Sequence, residues 1–471
     1  MSARRIQAAL LGLLAALAVL AWQAQPEGWY WRDPGPARGC AAALALLGYL
    51  LFCAALLRRR RRPPAPVSDQ ARLRVLYASQ TGFAEQLARQ AAAALTAAGR
   101  PASAQPLAEL DAETLAAGGA CLFVVSTTGE GDAPDSAFRF VQQVMVARPT
   151  LAPLRYGLLA LGDRSYPRYC AFGRRLDEWL RQQGAQPLFT MLEVDNADPA
   201  ALLRWQQRLG ELAGTALAAW TPAAFRRWRL IERRLLNPGS VGGPVWHLAL
   251  MPLESVADWQ AGDIAEVQLP DGTQRDYSIA SLPGDGRLEL LVRESHRADG
   301  SLGAGSAWLC RDAAVGGEMA LRLRENRGFH PPGDARPLIL IGNGTGLAGL
   351  RALLKARAVA GQHRNWLIYG ERNAACDHYY RAELQAWQTE GLLSHCDYAW
   401  SRDLPTPVYV QQRLREQAGR LRAWLVAGAA IYVCGSAQGM AQAVDATLRE
   451  LLGEAELGRL IEQGRYRRDV Y

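Results

Sequence analysis

Three loops rich in glycine and small hydroxyl residues, SQTGFAE (79–85), STTGEGDAP (126–134) and LGDRSYPRYCAFG (161–173), each begin where an apolar run ends. The runs RVLYAS (74–79), CLFVVS (121–126) and YGLLALG (156–162) read as buried strands, each followed by helical sequence such as 84–98. Strands alternating with amphipathic helices predict a doubly wound parallel sheet, here over 72–216. Such sheets bind ligands at the carboxyl ends of their strands. A glycine- and hydroxyl-rich loop entering a helix leaves backbone N–H groups free to hold a phosphate. One such loop is commonplace, but three in order at consecutive strand ends describe a site.

The texture then changes. Residues 217–240 read as a basic, tryptophan-containing connector. Over 241–330 the runs VWHLALM, DIAEVQL, RDYSIAS and RLELLVRE are short and separated by proline and glycine turns, which predicts an antiparallel barrel. In RDYSIAS (275–281), Arg275 and Tyr277 alternate onto one face and Ser278 follows, offering a charge, a flat ring and a hydroxyl to one ligand. From 331 to 471 the strand–helix alternation returns, with PLILIG, NWLIYG, CDYAWS and AAIYVCG as strands of a second open parallel sheet. IGNGTGLAGL (341–350) follows the first of them, and its glycines permit close backbone approach to a pyrophosphate.

A chain of 471 residues needs several domains, and 49% hydrophobic with 21% charged residues excludes global disorder. The net charge of +8 resides largely in Arg4, Arg5 and the run Arg58 to Arg62, so it argues for no nucleic-acid partner. Two uncharged segments, 6–22 and 39–57, are expected to be transmembrane helices of an anchor over 1–62. Their flanking arginines place the bulk of the chain on the cytoplasmic side of a bacterial inner membrane. For the first segment a cleaved signal peptide is the alternative. The eight cysteines lack paired spacing, so no metal site or disulfide framework is expected.

Together the motifs resemble those of the diflavin reductases, the group that includes cytochrome P-450 reductase and the sulfite reductase flavoprotein. The fold implied is α/β multidomain: a flavodoxin-like domain, an antiparallel β-barrel FAD domain and a ferredoxin-reductase-type NADP-binding domain. The resemblance implies that Ser79, Gln80, Thr81, Gly82 and Ala84 hold the phosphate of FMN. Thr127, Thr128, Gly129, Glu130 and Gly131, with Gly162, Asp163 and a stacking Tyr166, border its ring. Arg275, Tyr277, Ser278, Gly303 and Ser306 are assigned to FAD, and Gly344, Thr345, Gly346, Ser401, Arg402, Tyr409 and Gln411 to NADPH. Ser278, Cys434, Asp469 and Tyr471 are assigned to hydride transfer, with Tyr471 lying over the FAD ring. Electrons would pass from NADPH through FAD and FMN to a protein acceptor, either a haem protein or a membrane metal or siderophore reductase. Alternatives are a self-sufficient ferric or flavin reductase or oxidase, and a flavin-binding redox-sensing scaffold.

Five positions depart from the family pattern: Phe83, Asn343, Gly349, Pro407 and Ser436. Phe83 removes a potential donor to the FMN phosphate. Asn343 and Gly349 stand where prolines are usual, so a less rigid nucleotide loop is expected. Pro407 stands for a lysine, which narrows the expected margin of NADPH over NADH. The family's helical connecting domain has no room here, because DIAEVQLPDGTQ runs straight into RDYSIAS.

Overall fold

The computed structural model describes residues 73–471 except 129–130, 165–167, 219, 221–223, 256–257 and 297–299. The described residues form one compact unit built on three sheets.

The first sheet is parallel and contains β1 (Leu73–Ala78), β2 (Ala102–Pro106), β3 (Gly119–Ser126), β4 (Leu154–Gly162), β5 (Gln186–Pro187) and β6 (Leu192–Asp195). Its order is β2-β1-β3-β4-β5, with β6 on β4, the flavodoxin-like winding. Both faces are apolar because helices cover both: Leu76 and Phe123 enter one core with Trp179, while Val75 and Leu122 enter the other with Trp205. The three loops emerge together at the carboxyl ends of β1, β3 and β4, as the sequence predicts.

The second sheet is antiparallel, in the order β10-β9-β12-β7-β8-β11. Its strands are β7 (Arg226–Leu235), β8 (Val245–Pro252), β9 (Ile264–Gln268), β10 (Gln274–Ser278), β11 (Leu288–Arg293) and β12 (Glu318–Arg324). An antiparallel bridge between Ile279 and Leu290 joins the two ends into a barrel. Part of the expected connector is therefore a barrel strand, β7. Its arginines face outward and meet glutamates, Arg227 on Glu254 and Glu318 and Arg229 on Glu318. Strands β9 and β10 are joined by a tight turn in which Leu269 N–H donates to Thr273 O at 2.8 Å, so nothing is inserted there.

The third sheet is parallel, in the order β15-β14-β13-β16-β17. It comprises β13 (Leu338–Asn343), β14 (Asn365–Glu371), β15 (Leu393–Trp400), β16 (Ala430–Gly435) and β17 (Tyr466–Val470). Strand β17 lies at the edge, in register with β16 so that Asp469 pairs with Cys434.

One expectation requires correction. Spanning a bilayer takes about 20 apolar residues, yet the longest described helices, Phe83–Ala97 and Pro199–Ala213, have 15 residues each. Among the described residues no helix is long and apolar enough to cross a membrane. The segments 6–22 and 39–57 lie outside the described residues. The N-terminal transmembrane helices are thus no part of the fold established here. The inner-membrane location and the membrane contact, which rested on them, are withdrawn.

Candidate functional site

Three cavities meet around the last residues of the chain. The first, of 500 Å³, lies between the loops of the first sheet and the barrel. Ser79, Gln80, Thr81, Thr127, Thr128, Gly162 and Asp163 line one side, and Arg275, Asp276 and Arg324 the other. Gly82, at φ 82°, starts the helix Phe83–Ala97 and offers no side-chain cap of its own, and a helix start beside a cleft suits an anion. Ala84 is buried, and its N–H donates to Ser79 Oγ at 3.2 Å. Gly131, at φ 98°, has no room for a Cβ against Arg168, whose own Cβ would lie 2.8 Å away. The buried Thr128 Oγ1 has no partner among the described residues, which leaves one hydroxyl for a ligand edge. These groups fit a phosphorylated flat ring. Gly129, Glu130 and Tyr166 lie outside the described residues.

The second cavity, of 330 Å³, is lined by Arg275, Tyr277, Ser278, Arg293, Gly303, Ser306, Thr345 and Tyr471, among others. A short helix from Ala304 packs so closely here that a Cβ on Gly305 would lie 2.8 Å from Arg275 Cγ and 3.1 Å from the Tyr277 hydroxyl. Arg293, at the end of β11, is ion-paired with Glu371 and donates to the Tyr379 hydroxyl at 3.2 Å. Its Nη1 is buried without a partner among the described residues, and the side chain lines both this cavity and the third. A buried unpaired guanidinium donor suits an anion such as a pyrophosphate.

The third cavity, of 820 Å³, is lined by Gly344, Thr345, Ser401, Arg402, Tyr409, Gln411, Ser436 and Tyr471, among others. Gly346 lies beneath the loop, where any Cβ would strike the Cys434 carbonyl. Asn343 Oδ1 accepts from the Ser436 N–H at 3.1 Å. The Asn343 side chain thus ties the nucleotide loop to the backbone at the end of β16, while the Ser436 hydroxyl turns to Gln438 O at 2.6 Å. The expected loss of stiffness is offset at that point.

Ser278, Cys434 and Asp469 converge. The Ser278 hydroxyl donates to Asp469 Oδ2 at 2.6 Å, and Cys434 Sγ reaches the same oxygen at 3.7 Å. Asp469 is 3% exposed, and burial raises its carboxyl above the ordinary range while the Ser278 and Cys434 donors pull it back down. Burial, then the Asp469 charge, pushes the Cys434 thiol well above its ordinary value, so it is a neutral donor and no nucleophile. Gly349 lies against this trio, with its Cβ position 3.1 Å from Cys434 Sγ. Such a trio can meet positive charge developing on an adjacent ring. Tyr471 is about half exposed, bonds Thr345 Oγ1 at 3.4 Å, and lines all three cavities.

Sequence reasoning missed Arg293, Asp276 and Arg324. Asp276 and Arg324 bond at 2.6 Å and form the barrel wall of the first cleft. A charge closing the apolar run RLELLVR was the available signal for Arg293.

Comparison with known proteins agrees with this geometry. A flavodoxin family model matches residues 75–205, and an oxidoreductase NAD-binding domain model matches 340–446. The chain is 28% identical over 600 residues to the sulfite reductase [NADPH] flavoprotein alpha-component of Neisseria meningitidis serogroup C, covering 98% of this chain and 96% of that protein. It is 27% identical over 534 residues to the like-named protein of Mannheimia succiniciproducens (84% and 89% covered), and 27% over 539 residues to that of Vibrio cholerae serotype O1 (85% and 88%). The first alignment exceeds the 471 residues of this chain, so that relative carries residues with no counterpart here. Its sites take FMN, FAD and NADPH, and the chain is an oxidoreductase of the diflavin reductase family.

Proposed function

We propose that this chain draws electrons from NADPH and passes them, through FAD and then FMN, to a separate haem protein of the sulfite-reductase type. The single observation that carries this is the meeting of three cavities at Tyr471. The names of the relatives, sulfite reductase flavoprotein components, support a partner protein as acceptor. We divide the chain into an FMN module over 72–216, an FAD barrel over 241–330 with β7 added, and an NADPH module over 331–471.

When bound, the two flavins supply the change from a two-electron donor to one-electron delivery. The chain supplies position and charge. The Ser79 to Ala84 loop takes the FMN phosphate, while Thr127, Thr128, Gly131, Gly162 and Asp163 border its ring. Arg275, Gly303 and Ser306 take the FAD pyrophosphate, with Tyr277 against the ring. Gly344, Thr345 and Gly346 take the nicotinamide-side phosphates, with Ser401, Arg402, Tyr409 and Gln411 on the adenosine side. Arg293 serves both nucleotides from between them. Tyr471 swings aside to admit the nicotinamide, and the Asp469 carboxylate, held by Ser278 and Cys434, balances the positive charge that forms there.

The test uses the full chain. It is mixed anaerobically with NADPH or NADH, flavin bleaching is followed, and a sulfite reductase haemoprotein is then added. Faster bleaching by NADPH followed by haem reduction is the expected result. Bleaching with no haem reduction, and turnover of ferric chelates that survives loss of FMN, would instead mark a self-sufficient ferric reductase. Unbleached flavins would mark a flavin-binding scaffold.

A further inference from the structure

Strand β17 carries different partners on its two faces. Side chains alternate along a strand, so Arg467, Asp469 and Tyr471 share one face and Tyr466, Arg468 and Val470 the other. On the first face Arg467 donates to His330 O at 3.0 Å, Asp469 meets Ser278, and Tyr471 meets Thr345. On the second face Tyr466 is anchored in the core of the NADPH module, and the Arg468 guanidinium lies 5.6 Å from its ring centre.

Beyond that ring Arg468 leaves its own module. It forms a two-armed ion pair with Asp135, one arm being Nε to Oδ2 at 2.8 Å, and each side chain is only 17% exposed. Asp135 follows the second FMN loop directly, and its N–H donates to Gln80 Oε1 of the first at 3.1 Å. Gln80 Nε2 closes the circuit by donating to the Arg468 carbonyl at 2.8 Å. Two FMN loops therefore grip one residue of β17, and the next residue is Asp469. The other polar contact described between these modules, Gln143 with Glu462 at 3.2 Å, is exposed. Solvent competes with that one, whereas the bidentate pair is sheltered.

We propose that Arg468 is a positioning residue for hydride transfer: its pair with Asp135 holds β17 so that Asp469 and Tyr471 are correctly set only while the FMN module is docked. This rests on the function proposed above and deepens it. The chain then takes a hydride efficiently when the FMN site is at hand to relieve the FAD. It is slowed when the FMN module has swung away to its acceptor. An edge strand is suited to this role, because β17 pairs on one side only, with β16.

The test compares the full chain with Asp135→Asn, Arg468→Gln and the charge exchange Asp135→Arg with Arg468→Asp. Hydrogen exchange of the amides of 466–471 is measured with and without flavins, using β13 as the fold control. Single-turnover reduction of FAD by saturating NADPH is measured alongside NADP⁺ affinity and flavin content. Each single variant is expected to speed exchange of 466–471 and to slow FAD reduction, each roughly ten-fold. Exchange in β13, FAD content and NADP⁺ affinity stay as in the parent chain, and the exchanged pair recovers both losses. Unchanged exchange in 466–471, or faster exchange with undiminished FAD reduction, would overturn the proposal and leave the pair a plain clamp. If the parent chain is not bleached by NADPH, the functional reading fails, and the exchange of 466–471 still decides whether the pair holds the strand.

Discussion

Removing one oxygen, in Ser278→Ala, tests the electrostatics of the hydride site. The Ser278 hydroxyl is the closer of the two donors to the buried Asp469 carboxylate, at 2.6 Å against 3.7 Å for the Cys434 thiol. A hydrogen bond to a charged group is worth about 1.5–3 kcal/mol. At 1.36 kcal/mol per unit, its loss raises the Asp469 carboxyl by about one to two units beyond the rise that burial already causes. The active form is the ionised one, so the rate of flavin bleaching by NADPH falls as pH drops through that pKa. The falling limb in Ser278→Ala therefore moves to higher pH by about one to two units. The sign for stability is the reverse of that for a paired surface carboxylate. A carboxyl whose folded pKa lies above its unfolded value favours the fold below the unfolded value and loses that contribution as pH rises through the folded one. Ser278→Ala should thus lower Tm more at pH 8 than at pH 4. The assays are stopped-flow bleaching and calorimetry across pH, with Asp469→Asn as the reference that loses the limb altogether. A limb that stays in place while the rate falls uniformly would refute the argument, since Ser278 would then act on the flavin alone.

Asn343→Ala removes the acceptor of the Ser436 N–H and should weaken NADP⁺ binding by about 0.5–1.5 kcal/mol with FAD content unchanged; titration of NADP⁺ into the chain reads this, and unaltered affinity would make the bridge inert. Burial lowers His247 from its ordinary 6.5 to about 4, and its ring is 2% exposed. The neutral ring is the folded form, so stability present above pH 6.5 is lost as pH falls through that window, by about 3 kcal/mol in full. Urea unfolding at pH 7 and pH 4 should show the loss, and His247→Phe should flatten it.

What the sequence reveals of this fold follows from how local each signal is. Strands β1, β3, β4, β13, β14 and β16 are nearly continuous apolar runs, because helices cover both faces of their sheets, and they are legible on sight. Strand β7 (RRWRLIERRL) mixes arginine with apolar residues, so it reads as a basic connector until Glu254 and Glu318 are found opposite. Strand β17 is short and mostly charged, and it pairs only at an edge. The phosphate loops are legible for the same local reason: glycine, hydroxyls and a helix start occur within seven residues. Arg468 is not, since its partner lies 333 residues away. Asn343 is visible as a departure, but its role needs the fold that brings its Oδ1 to 3.1 Å from the backbone N–H of Ser436.

Phe83 is the departure whose meaning changes most. In sequence it is a lost phosphate donor. In the fold its ring lies 5.9 Å from the guanidinium of Arg324 in the barrel, and the adjoining Gly82 abuts the Glu325 carbonyl so closely that no Cβ fits. Without a connecting domain, the FMN module docks on the barrel through this loop and on the NADPH module through the Asp135–Arg468 pair. Interfaces of this kind are small and polar, and motion between modules is the default unless they are large and apolar. A cation–π contact is worth about 0.5–2 kcal/mol, which is enough to bias such an equilibrium without locking it. Phe83→Ser separates the two roles. It adds a hydroxyl at the helix start, so FMN should bind more tightly. It also removes the contact with Arg324, so small-angle scattering should report a larger mean radius and more chains undocked. Tighter FMN with an unchanged radius would mean that the Arg324 contact contributes nothing to docking. Weaker FMN would mean that the ring itself forms part of the FMN seat, consistent with its place on the wall of that cleft.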